Sequence, residues 1–149
     1  MTDDHRKLTQ LHYLVDKGKT DKLKRKADRL GYEVKSTSRG VIHYKNKNTD
    51  KHILSIKGTN PLNLKDLASD FKIAIGATSK DSQFKGRKKQ VKKIYKSIPS
   101  NQGIDLTSHS LGGSIATSIM TKSKSIRDRT TKSHTFNTGY TKQLHKELK

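Results

Sequence analysis

The stretch Gly103-Ile104-Asp105-Leu106-Thr107-Ser108-His109-Ser110-Leu111-Gly112-Gly113-Ser114 decides how this chain reads. Residues 103 to 107 suit a strand, 108 to 113 a sharp turn, and a helix with Leu111, Ile115 and Ile119 on its inward face follows. A strand that turns abruptly into a helix projects the side chain at the turn away from the backbone. It also aims the free amides of the helix start at whatever that side chain attacks. Ser110 stands at the centre of such a turn, and the small residues required two places before and after it are Ser108 and Gly112.

Upstream, Leu8, Leu11, Leu14 and Val15, then Leu23, Ala27 and Leu30, recur at helical spacing, which predicts one amphipathic helix or two broken near Gly18 and stopped at Gly31. From Tyr32 the period changes to two, and Ser38-Arg39-Gly40 punctuates a hairpin running to Lys45. His52-Ile53-Leu54-Ser55-Ile56 is a short apolar run, read as a buried strand, that ends at Lys57-Gly58-Thr59. Residues 62 to 75 read as a helical turn or two leading into an apolar strand closed by Gly76. Gly18-Lys19-Thr20 is rejected as a phosphate-binding loop, because that motif needs glycine at position 13 and the chain has Tyr13.

Residues 85 to 96 carry Lys85, Arg87, Lys88, Lys89, Lys92, Lys93 and Lys96 with no acid. Val91, Ile94, Tyr95 and Ile98 supply one narrow apolar stripe, so the segment predicts a helix with a broad cationic face, stopped by Pro99. A basic stretch from Lys122 to Lys132 precedes a last short strand at His134-Thr135-Phe136, the turn Asn137-Thr138-Gly139 and a basic tail.

Read together, His52 to Thr59, Asn63 to Phe71, Thr107 to Ser114 and Thr135 to Gly139 resemble the class 3 (fungal-type) lipase family of α/β-hydrolases, in order and spacing as well as in letters. Ile56-Lys57-Gly58-Thr59 is similar to the family's strand ending in Arg-Gly-Thr/Ser, Asp70 to its Asp at the end of the next helix, and residues 108 to 113 to its Gly-His-Ser-Leu-Gly-Gly elbow. The resemblance covers about residues 32 to 140. It implies Ser110 as nucleophile, the amide of Leu111 and Thr59 as the oxyanion hole, and Asp70 bracing Thr59; His109 becomes a packing residue. It also implies an abbreviated α/β-hydrolase-like fold, a mostly parallel sheet with helices on both faces, for the lipase-like core (32–140); the helical spacing upstream makes 1–31 an N-terminal helical segment, and 141–149 reads as a basic tail.

The chain departs from the family at Lys57 for arginine, Ser108 for glycine, Asn137 for glycine and Gly139 for proline. Only 39 residues follow Ser110, and the candidates among them for a triad acid or base, Asp128, His134, His145 and Glu147, stand in no context that matches the family's. A shortened domain lacking the C-terminal part that carries the triad Asp and His is therefore expected. Three outcomes are compatible with it: a rewired dyad using His134 or His145, a missing half supplied by another chain, or a domain that binds without turnover.

Composition bounds the rest. With 33 Lys and Arg against 13 Asp and Glu, the 149-residue chain has a formal charge of +20. Such a field concentrates anions, so the Lys85 to Lys96 and Lys122 to Lys132 surfaces are expected to meet a non-specific anionic partner: nucleic acid, anionic membrane or acidic protein. Sequence-specific reading of bases is not expected from so lysine-rich and aromatic-poor a chain. Leu, Ile, Val and Phe make 31 of the 149 residues, which leaves little apolar surplus for the core. Absent cysteine removes thiolate chemistry. No metal or cofactor is expected, and His43, His52 and His145 read as surface residues rather than ligands. With no export signal or apolar span, a soluble, intracellular or virion-associated protein is expected. Two functions follow: a serine ester hydrolase acting on lipid or another acyl ester, or a non-catalytic structural or adaptor protein in a larger assembly such as a virus particle.

Overall fold

The computed structural model describes residues 3–38, 40–57, 82–109 and 112–136. The N-terminal helical signal resolves into three pieces, α1 (Asp3–Gln10), α2 (His12–Asp16) and α3 (Thr20–Arg29). The last stops where predicted: Leu30 and Gly31 close back on the Ala27 and Asp28 carbonyls, and Gly31 has φ +87°, a conformation glycine reaches without Cβ strain.

Among the described residues five strands follow, β1 (Tyr32–Ser38), β2 (Val41–Asn46), β3 (His52–Lys57), β4 (Ile104–His109) and β5 (Thr130–Phe136), in the spatial order β1-β2-β3-β4-β5. The sheet is mixed rather than mostly parallel. β1 with β2 and β2 with β3 are antiparallel, while β3 with β4 and β4 with β5 are parallel. The turn at 46–50 accounts for the difference. Asn46 Oδ1 accepts the backbone N–H groups of Asn48 and Thr49 at 2.8 and 3.2 Å, a side-chain-closed turn that folds β3 directly back on β2 as a second hairpin.

The parallel strands are linked by helices, as parallel pairing requires. The helix α4 (Ser82–Ser97) precedes β4, and α5 (Gly112–Lys122) and α6 (Lys124–Arg129) lie between β4 and β5. The basic stretch from Lys122 is thus largely helix: Ser123 caps α6 by accepting the Ile126 amide, and β5 begins four residues earlier than its apolar end suggested.

Both sheet faces are covered. Ile42, Tyr44 and Ile53 pack with Leu8, Leu11, Leu14, Leu23 and Ala27 of α1 to α3, while Val41, Leu54, Ile56, Ile104 and Leu106 pack with Val91, Ile94, Tyr95, Ile98, Ala116, Ile119 and Ile126 of α4 to α6. This α/β layering explains why β3 is buried from His52 to Ile56 and carries no polar–apolar alternation. The segment at 62–75, the turn at 110–111 and the tail from 137 lie outside the described residues.

Candidate functional site

Two neighbouring parallel strands end side by side. Lys57, the last residue of β3, pairs in register with His109, the last of β4, and His109 pairs with Phe136, the last of β5. Residues 110 and 111 join β4 to the start of α5 at Gly112. Segments 58–59 and 110–111 therefore leave the same carboxyl edge from adjacent strands, which stand about 4.8 Å apart. In open α/β sheets that edge is where ligands bind. Ser110, Leu111, Thr59 and Asp70 themselves lie outside the described residues, as does His145.

Ser108, which stands where the family pattern has glycine, is fully buried. Its hydroxyl donates to the His134 carbonyl at 3.4 Å, tying the end of β4 to β5. A serine is thus accommodated at the flank of the turn. His134, a candidate base, is half-buried on β5 in register with Thr107, three residues short of Ser110. Burial lowers its pKa below the usual histidine value.

Sequence reading missed a second polar cluster on the face covered by α1. Asp105 is 0% exposed in the middle of the sheet. Its Oδ2 accepts a hydrogen bond from His5 Nε2 at 2.7 Å and an ion pair from Lys51 Nζ at 2.9 Å. Among the described residues its Oδ1 has no hydrogen-bond partner, and neither does the buried Ser55 hydroxyl. Burial pushes the Asp105 carboxyl up, but the hydrogen bonds from His5 and Lys51 and their charges outweigh it and hold the group below the usual carboxylate value. One turn further along α1, Thr9 Oγ1 lies 2.9 Å from Thr107 Oγ1, and from α2 His12 Nε2 donates to the Ser55 carbonyl at 3.0 Å. The available signal was an acid between the apolar Ile104 and Leu106 in a strand, with His5, Thr9 and His12 recurring at helical spacing upstream.

His43 and His52 correct the surface expectation: they are 5% and 4% exposed. They stand on adjacent strands with ring centroids 5.0 Å apart. His43 Nε2 meets His52 Nδ1 at 2.8 Å, and His52 Nε2 meets Gln102 Oε1 at 2.6 Å. Because Gln102 Oε1 can only accept, His52 carries its proton on Nε2 and accepts from His43 through Nδ1. Burial, then the neighbouring His52 and Lys35, push the His43 pKa down to about 4.

No family model, curated protein or solved structure matches this chain. The functional reading rests on its own residues. Among those described, no group of three or more His, Asp or Glu side chains is placed to hold a metal ion, and no helix is long and apolar enough to cross a membrane.

Proposed function

We propose that the chain is a lipase-like serine ester hydrolase domain of the α/β-hydrolase type, with Ser110 as the nucleophile. The observation that carries this reading is the junction of β4 and α5: a buried strand in parallel register with β3, a connection of two residues, and a helix that starts at Gly112. A strand that passes into a helix through two residues suits the kind of turn at which a serine hydroxyl projects from a sheet edge beside free helix-start amides. The parallel register of Lys57 with His109 supports a shared site, since the chain toward Thr59 departs beside the chain toward Ser110.

In this proposal Ser110 Oγ adds to the carbonyl carbon of an acyl ester. The Leu111 amide and Thr59 hold the developing oxyanion, and Asp70 braces the Thr59 loop by accepting its hydroxyl. The alcohol leaves with the serine proton, and water then releases the acid. Since His134 lies back along β5 and Asp105 is engaged by His5 and Lys51, no described acid–base pair stands at the edge to activate the hydroxyl. The expected turnover is accordingly orders of magnitude below that of a complete triad.

The test is hydrolysis of a short-chain p-nitrophenyl ester by the purified chain, beside Ser110→Ala and Thr59→Ala. Slow hydrolysis abolished by Ser110→Ala and reduced by Thr59→Ala is the expected outcome. A rate unchanged in Ser110→Ala would overturn the assignment.

A further inference from the structure

The amino edge of the sheet, opposite the Ser110 turn, carries a cationic cleft. A cavity of about 320 Å³ opens between the C-terminal half of α4 and the short helix α6, lined by Lys92, Tyr95, Lys96, Ser125, Ile126 and Arg129. Its floor is fixed by packing and hydrogen bonding. Tyr95 and Ile126 are buried, and Tyr95 OH is hydrogen-bonded to Thr130 Oγ1 at 2.8 Å. Arg129 is held by three main-chain carbonyls at the end of α4, donating from Nη1 to Tyr95 at 3.3 Å and from Nη2 to Ile98 at 3.4 Å and Pro99 at 3.1 Å. This matters for anion binding, because the bare carbonyl end of a helix repels negative charge. Arg129 covers those carbonyls and leaves a positioned guanidinium in their place.

We propose that this cleft, with the lysine face of α4 beside it, docks the phosphodiester backbone of a nucleic-acid duplex. Lys92 and Lys96, one turn apart on α4, form the rim of the cleft, and no carboxylate pairs with either among the described residues. Lys85 and Lys89 extend their row toward the start of the helix and are exposed, as are Lys93 and, on α6, Lys124. From Lys85 to Lys96 the row runs about 16 Å along the helix axis, or about five base-pair rises of a duplex. A row of that length suits a regular array of phosphates better than a single small anion.

A membrane surface fits this face less well. Lasting adsorption to lipid draws on inserted apolar side chains as well as charge. The one large hydrophobic residue that is well exposed among those described, Tyr13, belongs to α2 on the far side of the sheet. With no aromatic side chain exposed beside the cleft, among the described residues, to stack on bases, recognition runs through phosphates and is independent of sequence.

The experiment is fluorescence anisotropy of a generic 20-base-pair DNA duplex titrated with the full chain across a salt series, repeated with two triple variants of equal charge change. One replaces Lys92, Lys96 and Lys124 by Gln, beside the cleft; the other replaces Lys22, Lys24 and Arg25 by Gln, on the exposed surface of α3 across the sheet. The cleft variant is expected to lose about tenfold or more in affinity and about 2 to 3 units of salt slope, the α3 variant less than about threefold. Equal losses in both, or none in the cleft variant, would overturn the proposal. So would binding of vesicles containing phosphatidylserine that falls in the cleft variant while duplex binding does not. Lysine acetylation footprinting of the unaltered chain tests the same surface without substitution: the duplex is expected to protect Lys92, Lys96 and Lys124, and protection confined to other lysines contradicts the docking site.

Discussion

His5 Nε2 and Asp105 Oδ2, one hundred residues apart in the chain, meet at 2.7 Å between α1 and the middle of the sheet, with Lys51 on the same oxygen. Eight residues are too few for a helix to hold itself in water, so α1 depends on what it docks against. Leu8 supplies the apolar contact, and His5 and Thr9 the polar ones. Removing the charge in Asp105→Asn leaves Lys51 without its buried counter-charge and is expected to cost about 2 to 4 kcal/mol. His5→Ala should cost less but act locally, with hydrogen exchange accelerated in α1 ahead of the sheet.

The pH dependence of that cluster has a definite sign. The folded carboxyl titrates below its unfolded value, so its stabilisation is complete above the usual carboxylate range and is lost as pH falls through it. Urea unfolding of the parent and of Asp105→Asn should therefore give midpoints that differ at neutral pH and converge from about pH 4 downward. A difference that stays constant with pH would show that Asp105 is not ionised in the folded chain.

The histidine pair works in a higher window. His43 titrates near 4 when folded and near 6.5 when unfolded, so it binds protons more readily in the unfolded chain. Stability is full above about pH 6.5 and declines by about 2 to 3 kcal/mol as pH falls to about 4. In His43→Gln most of that slope should vanish. An NMR titration of the His43 ring protons with a midpoint near 6.5 would contradict the hydrogen-bonded neutral pair.

Gly40 closes the β1–β2 hairpin with φ +77°, and the Arg87 guanidinium of α4 sits where a Cβ would point. Gly40→Ala meets both the left-handed backbone penalty and that side chain. A loss of about 1 to 2 kcal/mol in chemical denaturation is expected; a neutral result would show that Arg87 and the turn adjust freely.

Element type was legible where one period dominates. The stripe Val91, Ile94, Tyr95 and Ile98 marked α4, and the change to alternation at Tyr32 marked the first hairpin. Pairing direction was less legible, because β3 reads as a two-sided buried strand whichever way it runs, and only Asn46 closing its own turn makes it antiparallel to β2. Lysine content concealed α6, whose apolar contribution to the core is Ile126. The polar clusters were concealed for a further reason. His5 with Asp105, and His43 with His52, become partners only when distant or adjacent strands and helices are assembled, and nothing in a local window distinguishes a buried histidine from an exposed one. At the candidate site, the strand before Ser110 and the helix after it were legible, although β4 runs on to His109 and α5 starts at Gly112, both inside the turn expected over 108–113; what activates the serine was not, since a proton acceptor need share no local pattern with it.

The most direct measurement is reaction of the folded chain with a fluorophosphonate, read by intact mass and peptide mapping beside Ser110→Ala. A serine projecting at a helix start beside oxyanion donors should take up one phosphonyl group, mapped to Ser110 and missing from the variant. A folded chain that stays unmodified, or is modified equally in Ser110→Ala, would contradict the assignment of the β4–α5 turn as a nucleophile elbow.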